Sequence, residues 1–158
     1  RRSLVSITSV ITQEMRDAIG IESAPVTYEI EKSTIIKFAQ AIEDSNPLFN
    51  DDEEARKTRY GGIIAPPTFS RSLLPGPLPV KITGPYTELL DGGSTWEYFE
   101  VIRPGDKITV STRILKMFER DGRLGHVLFT ETATTYTNQF NKLVATQKNT
   151  TIGYDPKI

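Results

Sequence analysis

The chain has no cysteine, one histidine, two methionines and one tryptophan in 158 residues. Without cysteine there are no disulfides, no thiolate nucleophile and no sulfur-rich metal site, a composition at home in the cytoplasm. The lone histidine, His126, and scattered carboxylates give no ligand spacing, so neither a metal nor a cofactor is expected. No apolar run approaches the roughly 18 residues of a membrane-spanning helix, so no membrane role is expected. The N-terminus shows neither a secretory apolar region nor a methionine, as in a trimmed chain. Basic runs are equally scarce. Nothing exceeds Arg1-Arg2 and the formal charge is −1, which argues against nucleic acid as the main partner.

What remains is an ordinary globular composition, 37% hydrophobic and 25% charged, in a length that suits one domain over residues 1–158. A short helix is expected from Thr12 to Ile19, stopped by Gly20. Val26, Tyr28 and Ile30 alternate with Thr27 and Glu29, as in a strand. Six of the ten prolines fall between Pro66 and Pro85, which predicts a stiff connector or an extended lid. After Gly93 the pattern turns to β. Trp96, Tyr98 and Val101 open a strand that stops at Arg103-Pro104-Gly105-Asp106. Ile108, Val110, Thr112 and Ile114 then alternate with polar residues. Asp121-Gly122 signals a hairpin into Leu124 to Tyr136, with Val127, Phe129, Glu131, Ala133 and Thr135 sharing one face. Leu143 to Ile152 makes the last strand. Such long antiparallel strands twist strongly, and a twisted sheet can wrap a helix, so the expected class is α+β.

The wrapped helix lies in the stretch Ser33–Phe69, around which the chain is organised. Ser33 reads as its N-cap, and Ile35, Phe38, Ala39 and Ile42 form one apolar face. Ile36 and Ala41 widen that face, so the helix is expected to be almost wholly buried. Asn46-Pro47 breaks it, and Asp44 is left near its end, a costly place for an unpartnered charge. A polar helix follows over Asp51–Thr58, with its acidic residues in the first turn.

Asp44-Ser45-Asn46-Pro47-Leu48-Phe49 resembles the D-x-N-P-x-H element of MaoC-like, R-specific enoyl thioester hydratases, which are hot-dog folds. AIEDSNPLFNDDEEARKTRYGGIIAPPTF, GGSTWEYFEVIRPGD and TTYTNQFNKLVATQKNT are similar to the N-terminal, FAS1-like dehydratase branch of that superfamily, over about residues 24–154. In active members the resemblance implies an Asp–His pair holding water, and a glycine N–H polarising the thioester carbonyl. Here Asp44 keeps the carboxylate, while Asn46 and Pro47 keep the shaping residues. Phe49 stands at the histidine position and Pro67 at the glycine position. Phenylalanine carries no proton and proline has no N–H, so the motif reads as degenerate.

Asp44 remains open as a general base or as a turn-capping carboxylate. Asn46, Phe49, Ile64 and Phe69 are the candidate substrate-binding residues, with core packing as the alternative. The resemblance implies an acyl thioester of CoA or acyl carrier protein, and a second hot-dog subunit in a homodimer or heterodimer. A self-sufficient hydratase would need Asp44 with Asn50, Asp51 or a neighbouring chain, and a hot-dog thioesterase ranks last. Arg56, Lys57, Arg59 and Arg71 offer positive charge to a phosphate-bearing carrier, and an ordinary solvated helix face explains the first three equally well.

Overall fold

The computed structural model describes residues 8–156. A short helix α1 (Gln13–Asp17) is capped by Thr12, whose side chain accepts from the Met15 N–H, and the turn after it closes at Gly20 with φ +84°. Strand β1 (Val26–Glu29) leads into helix α2 (Lys32–Ala41). Helix α3 (Pro47–Asn50), helix α4 (Asp52–Arg56) and a 3₁₀ turn (Pro67–Ser72) follow. The rest is strand: β2 (Glu88–Tyr98), β3 (Lys107–Gly122), β4 (Gly125–Thr137) and β5 (Leu143–Tyr154). All five strands join one antiparallel sheet in the order β1-β3-β4-β5-β2, the α+β hot-dog arrangement.

Helix α2 differs from its expected form at both ends. Its N-cap is Glu31, whose carbonyl accepts from the Thr34 and Ile35 N–H groups, and Ser33 lies inside the first turn. Only the Ile35–Ala39 stripe is fully buried, in clusters that include Ile108, Val110 and Tyr136 of the sheet for Ile35, and Phe49 and Ile64 for Ala39. Ile42 is 45% exposed and Ala41 faces water, so the helix is a half-buried strut instead of a wholly enclosed rod. A stripe of i and i+4 residues needs one packing surface, and one sheet face supplies it.

Strand β2 begins at Glu88, five residues before the expected change at Gly93. The two glycines form a bulge between Asp91 and Ser94, with Gly93 at φ +110° and its N–H given to Asp91 Oδ1 at 2.9 Å. A bulge bends a strand without ending it. Val101 lies beyond the strand end at Tyr98. The β3–β4 hairpin turns on Arg123-Leu124, with Gly122 and Gly125 paired across it.

The buried face of β4 is its threonine face. Leu128, Thr130, Thr132, Thr134 and Tyr136 point inward, while Phe129, Glu131, Ala133 and Thr135 are half-exposed. Helix α2 packs on one part of this inner face. The proline-rich connector covers another, held where the Thr130 hydroxyl donates to the Ile82 carbonyl at 2.7 Å.

Candidate functional site

The residues singled out from the sequence occupy three places. Asp44 and Asn46 sit in the exit from α2, where Glu43 adopts φ +56°. Asp44 Oδ1 accepts from the Asn46 N–H at 3.0 Å, and Asn46 Oδ1 accepts from the Leu48 N–H at 3.0 Å. The Asn50 amide bridges the carbonyls of Asp44 and Asn46 at 2.8 and 2.9 Å. Asp51 Oδ1 then caps α4 by accepting from the Glu53 and Glu54 N–H groups. These side chains satisfy successive backbone groups, the habit that makes Asx residues turn-formers. Pro47 at the first position of α3 fits the same logic, since its missing N–H would have no helical partner there.

Phe49 and Ile64 are in a second place, an apolar pocket of about 240 Å³ that Pro67, Tyr98, Val101 and Val144 also line. The Ile64 N–H is given to the Leu48 carbonyl at 3.3 Å and the Ala65 N–H to Ile102 at 2.8 Å, so both flanking amides are already used. Pro67 has none to give. Glu100 is the one formally charged residue of the lining. Burial pushes the Tyr98 hydroxyl above its ordinary 10, away from acid–base work near neutral pH. Asp44 does not line this pocket. It borders a separate open depression with Gln40, Glu43, Ser45 and Asn50.

Phe69 is in the third place. It is 1% exposed in the main core, with its ring edge-on to Phe38 at 5.3 Å between centroids. Of the basic candidates, Arg56 and Lys57 pair within α4 and its C-cap with Asp52 and Glu54, and Arg59 lies over the Tyr60 ring. Arg71 has a long contact to Asp91 at 3.7 Å. Tyr98, Val101 and Val144 went unnoticed in the sequence because they reach the pocket from β2, the loop after it and β5. Only the fold brings them beside Phe49. Among the described residues, no group of three or more His, Asp or Glu side chains is placed to hold a metal.

His126 lies near the start of β4 and is partly exposed. It is clamped between Glu119 at 2.9 Å and Asp121 at 2.8 Å, on the β3–β4 hairpin and outside both pockets. The hydrogen bonds of Glu119 and then Asp121 raise its pKa above 6.5. Burial pushes Glu119 up, but bonds from Ser9, His126 and Val10 outweigh it and leave its pKa below 4.5. The histidine's contribution to stability is therefore complete below pH 6.5 and is lost as pH rises through its raised folded value. Urea titrations of the native chain should show that decline, and His126→Gln should flatten it. An unchanged pH profile in the variant would refute the clamp.

Fold and pocket together define a hot-dog unit whose Phe49 pocket is lined mainly by apolar side chains. Residues 17–147 match the FAS1-like, dehydratase domain region, and the chain belongs to that family. A UPF0336 protein of Streptomyces avermitilis is 32% identical over 92 residues, which are 55% of this chain and 61% of that protein. The chain thus spans less than two thirds of that relative's length. A probable enoyl-CoA hydratase alpha subunit of Thermomonospora curvata is 27% identical over 138 residues, 76% of this chain and 43% of that protein. Among solved structures, the ChsH1-ChsH2 complex from Mycobacterium tuberculosis gives a TM-score of 0.74 at 21% identity, covering 85% of this chain and 89% of that one. The MaoC-like dehydratase from Rhodospirillum rubrum gives 0.68 at 19% identity, covering 93% and 100%. At these identities the two structures establish the fold.

Proposed function

We propose that this chain is one hot-dog unit of an acyl thioester hydratase or dehydratase, supplying acyl-binding surface to a second hot-dog subunit that carries the chemistry. The observation that carries the reading is the pocket holding Phe49 and Pro67. It offers shape and apolar surface where an active member needs a proton carrier and an N–H donor. Asp44, the carboxylate of the motif, is turned to the backbone of its own turn. The substrate class is an acyl thioester of CoA or acyl carrier protein, and the setting is cytoplasmic.

The partner docks on β2. This strand is eleven residues long at one edge of the sheet, and it leaves Leu89, Leu90 and Tyr98 exposed. A long apolar edge invites another strand. From Glu88 to Glu100 the charges are Glu88, Asp91, Glu97 and Glu100, with no base among them. An antiparallel self-pair of β2 centred on Ser94 would set Asp91 against Glu97. Like charges directly opposite are destabilising, so a different chain with a basic edge fits better than a second copy.

The test is enoyl-CoA hydration by the purified chain, alone and mixed with a hot-dog subunit that carries the Asp–His pair. We expect no turnover from the chain alone, and an increase in the partner's turnover that Leu89→Lys with Leu90→Lys removes. Turnover by the chain alone, abolished by Asp44→Asn in a folded protein, would overturn the proposal.

A further inference from the structure

Beneath the proline-rich connector lies a cavity of about 430 Å³, unrelated to the Phe49 pocket, with two unlike walls. The sheet wall is hydroxyl and amide: Thr112, Thr132, Thr134, Tyr136, Gln147 and Asn149. The connector wall is apolar, with Leu73, Leu78 and Ile82. Its volume falls in the usual range for small-molecule sites.

Some of the sheet-wall groups satisfy one another. Thr134 donates to Thr112 at 2.9 Å, Thr112 donates to the Ala133 carbonyl at 3.2 Å, and Asn149 is held by Ser94 at 2.6 Å. Others do not. Among the described residues, the hydroxyls of Thr132 and Tyr136 make no hydrogen bond, and their oxygens stay accessible at the cavity although the two residues as a whole are buried. Unspent, accessible donors on a cavity wall are placed to meet a ligand's acceptors. Burial pushes the Tyr136 hydroxyl up to about 12, so it stays protonated and able to donate. Arg71 stands at the same cavity, and no carboxylate lines it. The Arg71–Asp91 contact is 3.7 Å between two side chains more than half exposed, a weak competitor for the guanidinium.

The geometry points to a second binding site, for a small organic acid with one carboxylate, oxygen along one side and hydrocarbon along the other. The single cation matches one negative charge, the threonine wall takes the oxygens, and the leucines take the hydrocarbon. The site does not depend on the acyl thioester reading.

The full chain with ¹³C-labelled threonine methyls tests this by titration with 3-hydroxyhexanoate, hexanoate, hexane-1,3-diol and inorganic phosphate. We expect 3-hydroxyhexanoate to move the Thr132 and Thr134 methyls saturably and to bind tightest of the four. Arg71→Gln and Tyr136→Phe should each weaken it roughly tenfold, the effect of one lost hydrogen bond with a charged partner. Neither change removes a core packing group, so both variants should fold, which their methyl spectra verify. The inference fails if no probe moves those methyls, if phosphate binds as tightly, or if both variants bind as the native chain does.

Discussion

Phe69→Ala should cost about 3–5 kcal/mol of folding stability, the usual penalty for emptying a phenylalanine site in a closed core. The ring is buried in the cluster that joins α2 to the sheet, beside Ile35, Ile108 and Tyr136. Its edge contact with Phe38 adds an aromatic interaction that alanine cannot replace. Urea denaturation measures the loss. The result bears on function as well, because the sequence left Phe69 as either core or acyl-tunnel lining. Phe49→Ala is the comparison. Phe49 belongs to a smaller cluster, with Ala39 and Ile64, and one side of it opens to the apolar pocket. A smaller stability loss there, with weakened acyl-CoA binding, would assign the two phenylalanines to different tasks. Equal losses at both sites would contradict the division.

Gly153→Ala should destabilise the chain by about 1–3 kcal/mol or more, and by a different route. A Cβ at this position would lie 2.6 Å from the Thr83 carbonyl oxygen and 2.9 Å from Thr83 Cα. Both are backbone atoms, so no side chain can swing aside. Either β5 bows outward or the connector lifts, and lifting it stretches the Thr130–Ile82 bond. Thermal unfolding gives the loss, and faster amide exchange across residues 82–86 would show that the connector is what gives way. A variant as stable as the native chain would mean the close approach is not maintained. Gly122→Ala is the control, since a Cβ there meets nothing within 4 Å.

Much of this fold was legible because its strands are long and its burial one-sided. Ile108, Val110, Thr112 and Ile114 alternate in the sequence and are all buried in β3. Ile35 and Ala39 mark the buried stripe of α2 by spacing alone. The onset of β2 was hidden for the opposite reason: an edge strand exposes nearly every residue, so Glu88–Thr95 carries no alternation. Asp-Gly-Gly then reads as a stop where the chain only bulges. The cap at Glu31 was missed because its backbone, and no side chain, makes the capping geometry. The Asx turns at Asp44 and Asn46 follow from residue type. That Asp44 stands apart from the Phe49 pocket does not, since that depends on where α3 sets the ring. Hydropathy likewise ranks Thr130, Thr132 and Thr134 as surface residues, and only the strand order shows them facing inward.

The two borders of the sheet are unequal, and this limits how far copies can polymerise. A head-to-tail filament would require the eleven residues of β2 to seat on β1, which offers four. The Asp91–Ser94 bulge also divides β2 into two registers, so a flat template strand cannot run its whole length. Growth of a fibre by repeated strand addition of copies is therefore disfavoured.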